Sequence, residues 1–189
     1  MRLIPGILII SSLVLSLASC SSKVSKSSLV PFTKDLRQKL EGTNIDLRQV
    51  QFYVDQKIVL ERNLGDTKVE VSSGVVKLQN GKYINEVIIP ELTPGVCTGS
   101  EGDKLMISFE KGNSNLPFGP GSGFTFNEYS LYGVEWKNGT TAVMYDSNKF
   151  RARCASCQDV ASVTLLIRKK EKEKLEHKSR TVKGRTVGK

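Results

Sequence analysis

Histidine is nearly missing from this sequence: 189 residues carry one, His177. A Ser-His-Asp mechanism needs an imidazole base beside its nucleophile, and no Gly-x-Ser-x-Gly elbow is present to hold one. There is no His-Glu-x-x-His pair for a zinc hydrolase. The glycine-rich stretch Gly119-Pro120-Gly121-Ser122-Gly123 lacks the Gly-Lys-Ser/Thr that a phosphate loop requires, so nucleotide binding has no motif either. Glycoside hydrolysis survives by count alone, because it needs only two carboxylates. Glu61, Glu86, Glu110, Glu128, Glu135 and Asp146 lie on or beside predicted strands, where each reads as a solvated outward position. No cofactor is implied, and the chemistry of an enzyme is not written here.

Long apolar runs are equally scarce. After residue 20 nothing approaches the roughly twenty residues of a membrane-spanning helix. The one run lies at the start, from Leu3 to Leu17, behind the single basic residue Arg2 and ahead of Leu17-Ala18-Ser19-Cys20. One positive charge, a short apolar stretch and a small-residue exit have the form of a secretory signal. With Cys20 directly after Leu-Ala-Ser, the stretch resembles the lipobox of bacterial lipoproteins. That resemblance implies cleavage before Cys20, a diacylglyceryl group on its thiol, and attachment to a membrane through acyl chains. Residues 1–19 are then a signal peptide, and Ser21-Ser22-Lys23-Val24-Ser25-Lys26-Ser27-Ser28 belong to a flexible tether over residues 20–30, too polar to offset its ordering entropy. In lipoproteins of this kind, aspartate after the cysteine often marks inner-membrane retention, and in those of Bacteroidota an acidic cluster just after it favours export to the outer face. Ser21 and a basic tether instead imply the periplasmic face of the outer membrane.

Cysteine is sparse too: besides Cys20 there are Cys97, Cys154 and Cys157. Cys154-Ala155-Ser156-Cys157 has the spacing of a redox dithiol or half a metal site. A thioredoxin-type dithiol starts at a helix N-terminus, whereas this pair leaves a predicted strand. A zinc site would need both Cys97 and the distant His177, so no metal is expected. In an oxidising compartment the three cysteines read as one structural disulfide, within the pair or from Cys97 to one of its members, with one thiol left over.

The net charge of +9 is concentrated at one end. Residues 168–189 hold ten Lys/Arg against three Glu, which leaves the body of the chain close to neutral. A basic tail suits nucleic acid, but a secretory signal removes the protein from that compartment. Anionic lipid, lipopolysaccharide phosphate, peptidoglycan or an acidic groove on another protein remain.

Between tether and tail, residues 31–167 form one predicted β-rich domain. Thr33 is placed to cap a short helix carrying Leu36 and Leu40 and ending at Gly42, and Thr43 or Asn44 to cap a further turn over 45–48. Alternating apolar positions then predict strands over one run from 50 to 60, and at 69–71, 75–78 and 83–89. Others are expected at 104–109, 131–136, 140–145, 150–153 and 160–167. A helix running from Val160 into the Lys/Glu stretch is the rival for the last of these. Asn80-Gly81 and Asn138-Gly139 each predict a type I′ hairpin. Pro94-Gly95 reads as an interruption, and 116–123 as a loop too rich in proline and glycine to hold a ladder. About nine strands at this spacing suggest a small antiparallel barrel or sandwich with a short N-terminal helix.

The mature part also resembles short outer-membrane lipoproteins of Bacteroidota in Pro31-Phe32-Thr33, Val50-Gln51-Phe52-Tyr53, Ile58-Val59-Leu60-Glu61-Arg62, Thr93-Pro94-Gly95-Val96, Phe118-Gly119-Pro120 and Gly184-Arg185-Thr186-Val187. This resemblance implies an envelope accessory protein and carries over no active site. Aromatics beside the expected loop, Phe118, Phe124 and Phe126, are candidate partner contacts. So are Lys169, Lys170, Arg180, Lys183 and Arg185 in the tail, whose Thr-Val pairs could add to a sheet edge. The expected function is a non-enzymatic, lipid-anchored protein that binds or braces an outer-membrane assembly for secretion, motility or biogenesis. Direct binding of peptidoglycan or lipopolysaccharide is the alternative, and a periplasmic thiol protein using Cys154 and Cys157 a third reading.

Overall fold

The structure, a computed structural model, describes residues 24–42, 45–66, 71, 74–112, 114–121 and 127–176. It is mainly β, with two antiparallel sheets in a sandwich-like arrangement and few helices. In chain order the elements are β1 (Leu29–Pro31), α1 (Lys34–Gly42), β2 (Gln51–Val54), β3 (Ile58–Gly65), β4 (Val75–Gln79), β5 (Lys82–Ile89) and β6 (Pro94–Glu101). They continue with β7 (Lys104–Ser108), β8 (Asn115–Pro120), β9 (Tyr129–Leu131), β10 (Val134–Lys137), β11 (Thr140–Tyr145), β12 (Asn148–Cys154), β13 (Leu165–Arg168) and α2 (Lys169–Glu176). The first sheet runs β1-β13-β2-β6-β7-β8-β9 and the second β10-β11-β12-β3-β5-β4.

The first sheet curls back on itself. Its far strand, β9, returns to the chain beside the opposite edge: Tyr129 N donates to the Phe32 carbonyl at 3.0 Å and Leu131 N to the Val163 carbonyl at 2.9 Å. Isolated bridges Thr33↔Glu128 and Ser130↔Thr164 lie along the same seam. Inside, one apolar cluster joins both sheets: Phe52, Leu105, Ile107, Phe118 and Leu165 from the first meet Ile58, Leu60, Val143 and Phe150 from the second. Helix α1 contributes Leu36 and Leu40, four residues apart and therefore on one face. Its start is capped as expected, with Thr33 Oγ1 accepting from Leu36 N at 3.2 Å.

Both Asn-Gly turns form hairpins, with φ of 50° and 75° at Asn80 and Gly81, and 49° and 69° at Asn138 and Gly139. These are the positive values that a two-residue type I′ turn demands. The stretch from Val160 is a 3-10 turn over Val160–Ser162 followed by strand β13, and helix α2 begins only at Lys169.

Four expectations require correction. The stretch 116–123 is not a loop up to Pro120: β8 pairs with both β7 and β9. Its prolines are tolerated because Pro120 ends the strand and Pro117 supplies a carbonyl, which accepts from Tyr132 N at 2.8 Å. Pro94-Gly95 does not interrupt the sheet but begins β6. A Cβ on Gly95 would come within 2.7 Å of the Ile107 side chain, so the glycine there serves close strand packing. Sheet structure also begins at Leu29, ahead of the expected boundary at residue 31, because Leu29 and Val30 pair with Arg168 and Ile167. Last, the turn expected over 45–48 runs over Leu47–Gln49 with Asp46 as its cap, accepting from Arg48 N at 2.9 Å, while Thr43 and Asn44 lie outside the described residues. The expected strand at 69–71 falls largely outside the described residues.

Candidate functional site

The outer face of the second sheet is the most distinctive surface. Strand register aligns Val134, Ala142, Arg151, Glu61, Glu86 and Val75 in one row across all six strands. The alternate positions Phe150, Leu60 and Val87 enter the core, which fixes the row as outward. Arg153 stands one step along β12 and reaches two carboxylates, Glu61 at 3.0 Å and Glu86 at 3.9 Å. Lys77 Nζ lies 2.5 Å from Glu86, and Lys149 Nζ 2.6 Å from Glu135. Arg151 donates to the Glu135 carbonyl at 2.7 Å. A ladder of paired charges therefore spans the sheet, with Glu135 on β10, Lys149, Arg151 and Arg153 on β12, the adjacent acids Glu61 and Glu86 on β3 and β5, and Lys77 on β4.

Exposed apolar side chains interleave with this ladder. Val75, Ile88, Val134 and Met144 lie on the same face, with relative exposures of 69%, 46%, 58% and 58%. Trp136, the only tryptophan, sits on the edge strand β10 at 43% exposure and donates to the Gly133 carbonyl at 3.1 Å. Beside the ladder is an open cleft of about 510 Å³, lined by Glu61, Asn63, Gln79, Asn80, Lys82, Ile84 and Arg151. It offers amide, carboxylate and guanidinium groups around one apolar floor residue.

The charge state of Glu86 follows from its cations. A hydrogen bond from Lys77, reinforced by its charge and that of Arg153, holds the Glu86 carboxyl below the ordinary glutamate range. A general acid needs the opposite shift. Glu135 is likewise held low by its bond to Lys149. Glu110 accepts from the Tyr145 hydroxyl at 2.7 Å, and burial together with this carboxylate pushes the tyrosine well above its usual value. Glu128 belongs to the bridge with Thr33, and Asp146 to the turn after β11, at φ 48°.

The cysteines separate cleanly. Cys154 and Cys157 are bonded to each other, with Cα atoms 5.4 Å apart. Cys97 is free and 5% exposed, so of the two expected pairings the bridge is the one within the pair, and Cys97 is the thiol left over. It lies in β6 of the first sheet, whereas Cys154 ends β12 in the second. Burial pushes the Cys97 thiol up, and its Sγ donates to the Gly99 carbonyl at 3.3 Å. Among the described residues, no group of three or more His, Cys, Asp and Glu is gathered where a metal ion could be held.

Phe118 is also corrected: it is fully buried in β8, edge-on to Phe109, and touches no solvent. The register that makes 115–120 a strand turns it inward. Phe124, Phe126, Arg180, Lys183, Arg185 and Cys20 lie outside the described residues. Lys169 and Lys170 open α2 and are exposed. No described helix is long and apolar enough to cross a membrane. No single stretch of sequence holds the whole ladder, although Lys149, Arg151 and Arg153 recur at every second residue of β12, the period of one strand face.

Comparison with protein-family models, curated proteins and solved structures finds no match to this chain.

Proposed function

We propose that this is a non-enzymatic envelope accessory protein, anchored through acyl chains on Cys20 to the periplasmic face of the outer membrane, that binds or braces a larger outer-membrane assembly. The observation that carries the reading is the outer face of the second sheet. Four exposed apolar side chains on a sheet face, set among fixed charges, are what a protein partner covers: the apolar residues supply burial, and the ladder sets register. A face held by its own ion pairs is preorganised, so little ordering is lost on contact. The lipobox at Leu17-Ala18-Ser19-Cys20 supports the address.

The test is a mild-detergent pull-down of the acylated chain from native membranes, compared with Val134→Lys and Met144→Lys variants. Defined outer-membrane proteins that accompany the native chain and are lost with either variant support the reading. Recovery of no stoichiometric protein removes it. A second reading, direct binding of peptidoglycan or lipopolysaccharide, is favoured by the polar cleft beside Glu61 and Arg151. It expects the chain to pellet with isolated wall or lipopolysaccharide, and an Arg151→Ala variant to pellet less.

A further inference from the structure

The strand register brings together two parts of the chain that are far apart in sequence. Leu29, where the amino-terminal segment joins the first sheet, is paired with Arg168, the last residue before α2. Upstream of Leu29 the chain turns back through a 3-10 turn over Lys26–Ser28. Val24 then packs on Leu29, Tyr53 and Leu166, a small cluster separate from the main core. Leu166 and Arg168 are two apart on β13, and Arg168 Nε donates to the Tyr53 hydroxyl at 3.0 Å, so all of these share the outer face of the first sheet. The described chain therefore begins, at Val24, on that face. Four residues span at most ~14 Å, so an acyl anchor on Cys20 is confined close to Val24.

The cations at this place are Lys26, Arg168, Lys169 and Lys170, all exposed. The acids near them are Glu91, 2.8 Å from Lys26, Asp55, whose carbonyl accepts from Lys26 Nζ at 3.3 Å, and Glu171 and Glu173 in α2. Residues 168–176 carry five Lys/Arg against three Glu. A single acyl chain holds a protein to a bilayer only marginally, and a basic patch beside it supplies a second signal. Basic groups act on an anionic surface only within about a Debye length, roughly 8–10 Å, and a tether of at most ~14 Å lets the face approach that closely.

We propose that the outer face of the first sheet, around β1 and β13, rests on an anionic phospholipid surface, with Lys26, Arg168, Lys169 and Lys170 facing the head-group phosphates. This rests on the acylation of Cys20 for its approach to the membrane. It also orients the domain: the opposite face of the sandwich, with the charge ladder and Trp136, points away from the bilayer and is left open to a partner.

The test is lysine footprinting of the full acylated chain on two kinds of vesicle, phosphatidylcholine alone and phosphatidylcholine with phosphatidylglycerol. The expected result is that labelling of Lys26, Lys169 and Lys170 falls on the phosphatidylglycerol vesicles, while Lys82 and Lys149 on the second sheet label equally on both. High salt should reverse the protection. Replacing Lys169 or Lys170 by Gln should weaken phosphatidylglycerol-dependent binding about fivefold per lysine. Equal labelling on both vesicles, or protection of Lys82 and Lys149 instead, overturns the proposal. Retention on phosphatidylcholine at high salt reads the acyl anchor by itself. If that retention fails while phosphatidylglycerol binding sensitive to Lys169→Gln persists, the anchor reading falls and the lipid face stands.

Discussion

Glu61 and Glu86 face each other across β3 and β5, and the Arg153 guanidinium on the neighbouring strand reaches both. Like charges directly opposite in an antiparallel pair repel. Arg153 and Lys77 turn that repulsion into a network, which is why two acids can occupy adjacent outward positions.

Replacing Arg153 by Gln should therefore destabilise the domain by about 0.5–1 kcal/mol at neutral pH, the scale of an exposed ion pair. The loss should shrink in acid. The folded-state value of Glu86 lies below the ordinary 4.5, so its contribution is complete above that value and disappears as the pH falls through the depressed one. Urea unfolding of both proteins at pH 7 and at about pH 3 checks this. A difference that is constant with pH would show that Arg153 acts through packing alone.

The two Asn-Gly hairpins look alike in sequence and differ in what surrounds them. Gly81, at φ 75°, has nothing near the place a Cβ would occupy, whereas a Cβ on Gly139 would overlap the Gln158 carbonyl. Gly139 is also bound to the segment leading into β13, its carbonyl accepting from Val160 N at 2.9 Å. Gly81→Ala should cost about 1–2 kcal/mol, the penalty of a left-handed alanine. Gly139→Ala should cost about 3 kcal/mol or more, because the hairpin must also move off residues 158–159. Equal shifts in their urea midpoints would contradict this.

What the sequence made legible follows from how local each signal is. Both hairpins, the Thr33 cap and the alternating strands β3, β5, β11 and β12 are written in a few consecutive residues. Strands β6 and β8 are hidden because their prolines and glycines argue for turns, and only their neighbours make them strands. Pro117 keeps its place by a carbonyl bond to Tyr132, and Gly95 by the nearness of Ile107. Phe118 was misplaced for the same reason, since its inward direction depends on a register no local pattern reveals. The charge ladder needs the order β12-β3-β5, which joins residues up to 92 apart in sequence, as in the pairing of Arg153 with Glu61.

Arg37 is a buried cation whose three bonds cannot be met by another side chain. Its guanidinium donates to the Tyr129 hydroxyl at 2.9 Å, to the Gly102 carbonyl at 3.0 Å and to Glu41 at 2.7 Å. Together these tie α1 to β9 and to the turn between β6 and β7. Arg37→Leu leaves the Tyr129 hydroxyl and a carbonyl without their donor, at a cost of about 2–3 kcal/mol. Arg37→Lys should recover only part of this, because an ammonium is a point donor and cannot span the fork. Pairing Arg37→Leu with Tyr129→Phe removes both partners and should cost less than the sum of the single changes. A thermal-melt double-mutant cycle measures that coupling, and strict additivity would mean the bond contributes nothing.

The bridge between Cys154 and Cys157 and the free Cys97 should respond in opposite ways to reagents. Cys97 is buried, and burial raises its thiol above the usual value, so little reactive thiolate forms at neutral pH. Iodoacetamide should leave the folded protein unlabelled at Cys97 and modify it once urea unfolds the chain. Cys154 and Cys157 should take up label only after a reductant is added. Closing so short a loop stabilises the fold by about 2 kcal/mol, so reduction should lower the urea midpoint without unfolding the domain in water. The bridged segment holds β12 to the chain before β3, through Ala155 N to the Lys57 carbonyl at 3.0 Å and Ser156 Oγ to Gln56 at 2.7 Å. These bonds remain when the sulfurs part. A Cys154→Ser/Cys157→Ser variant that matched the native midpoint would show that they, and not the disulfide, set the position of the loop.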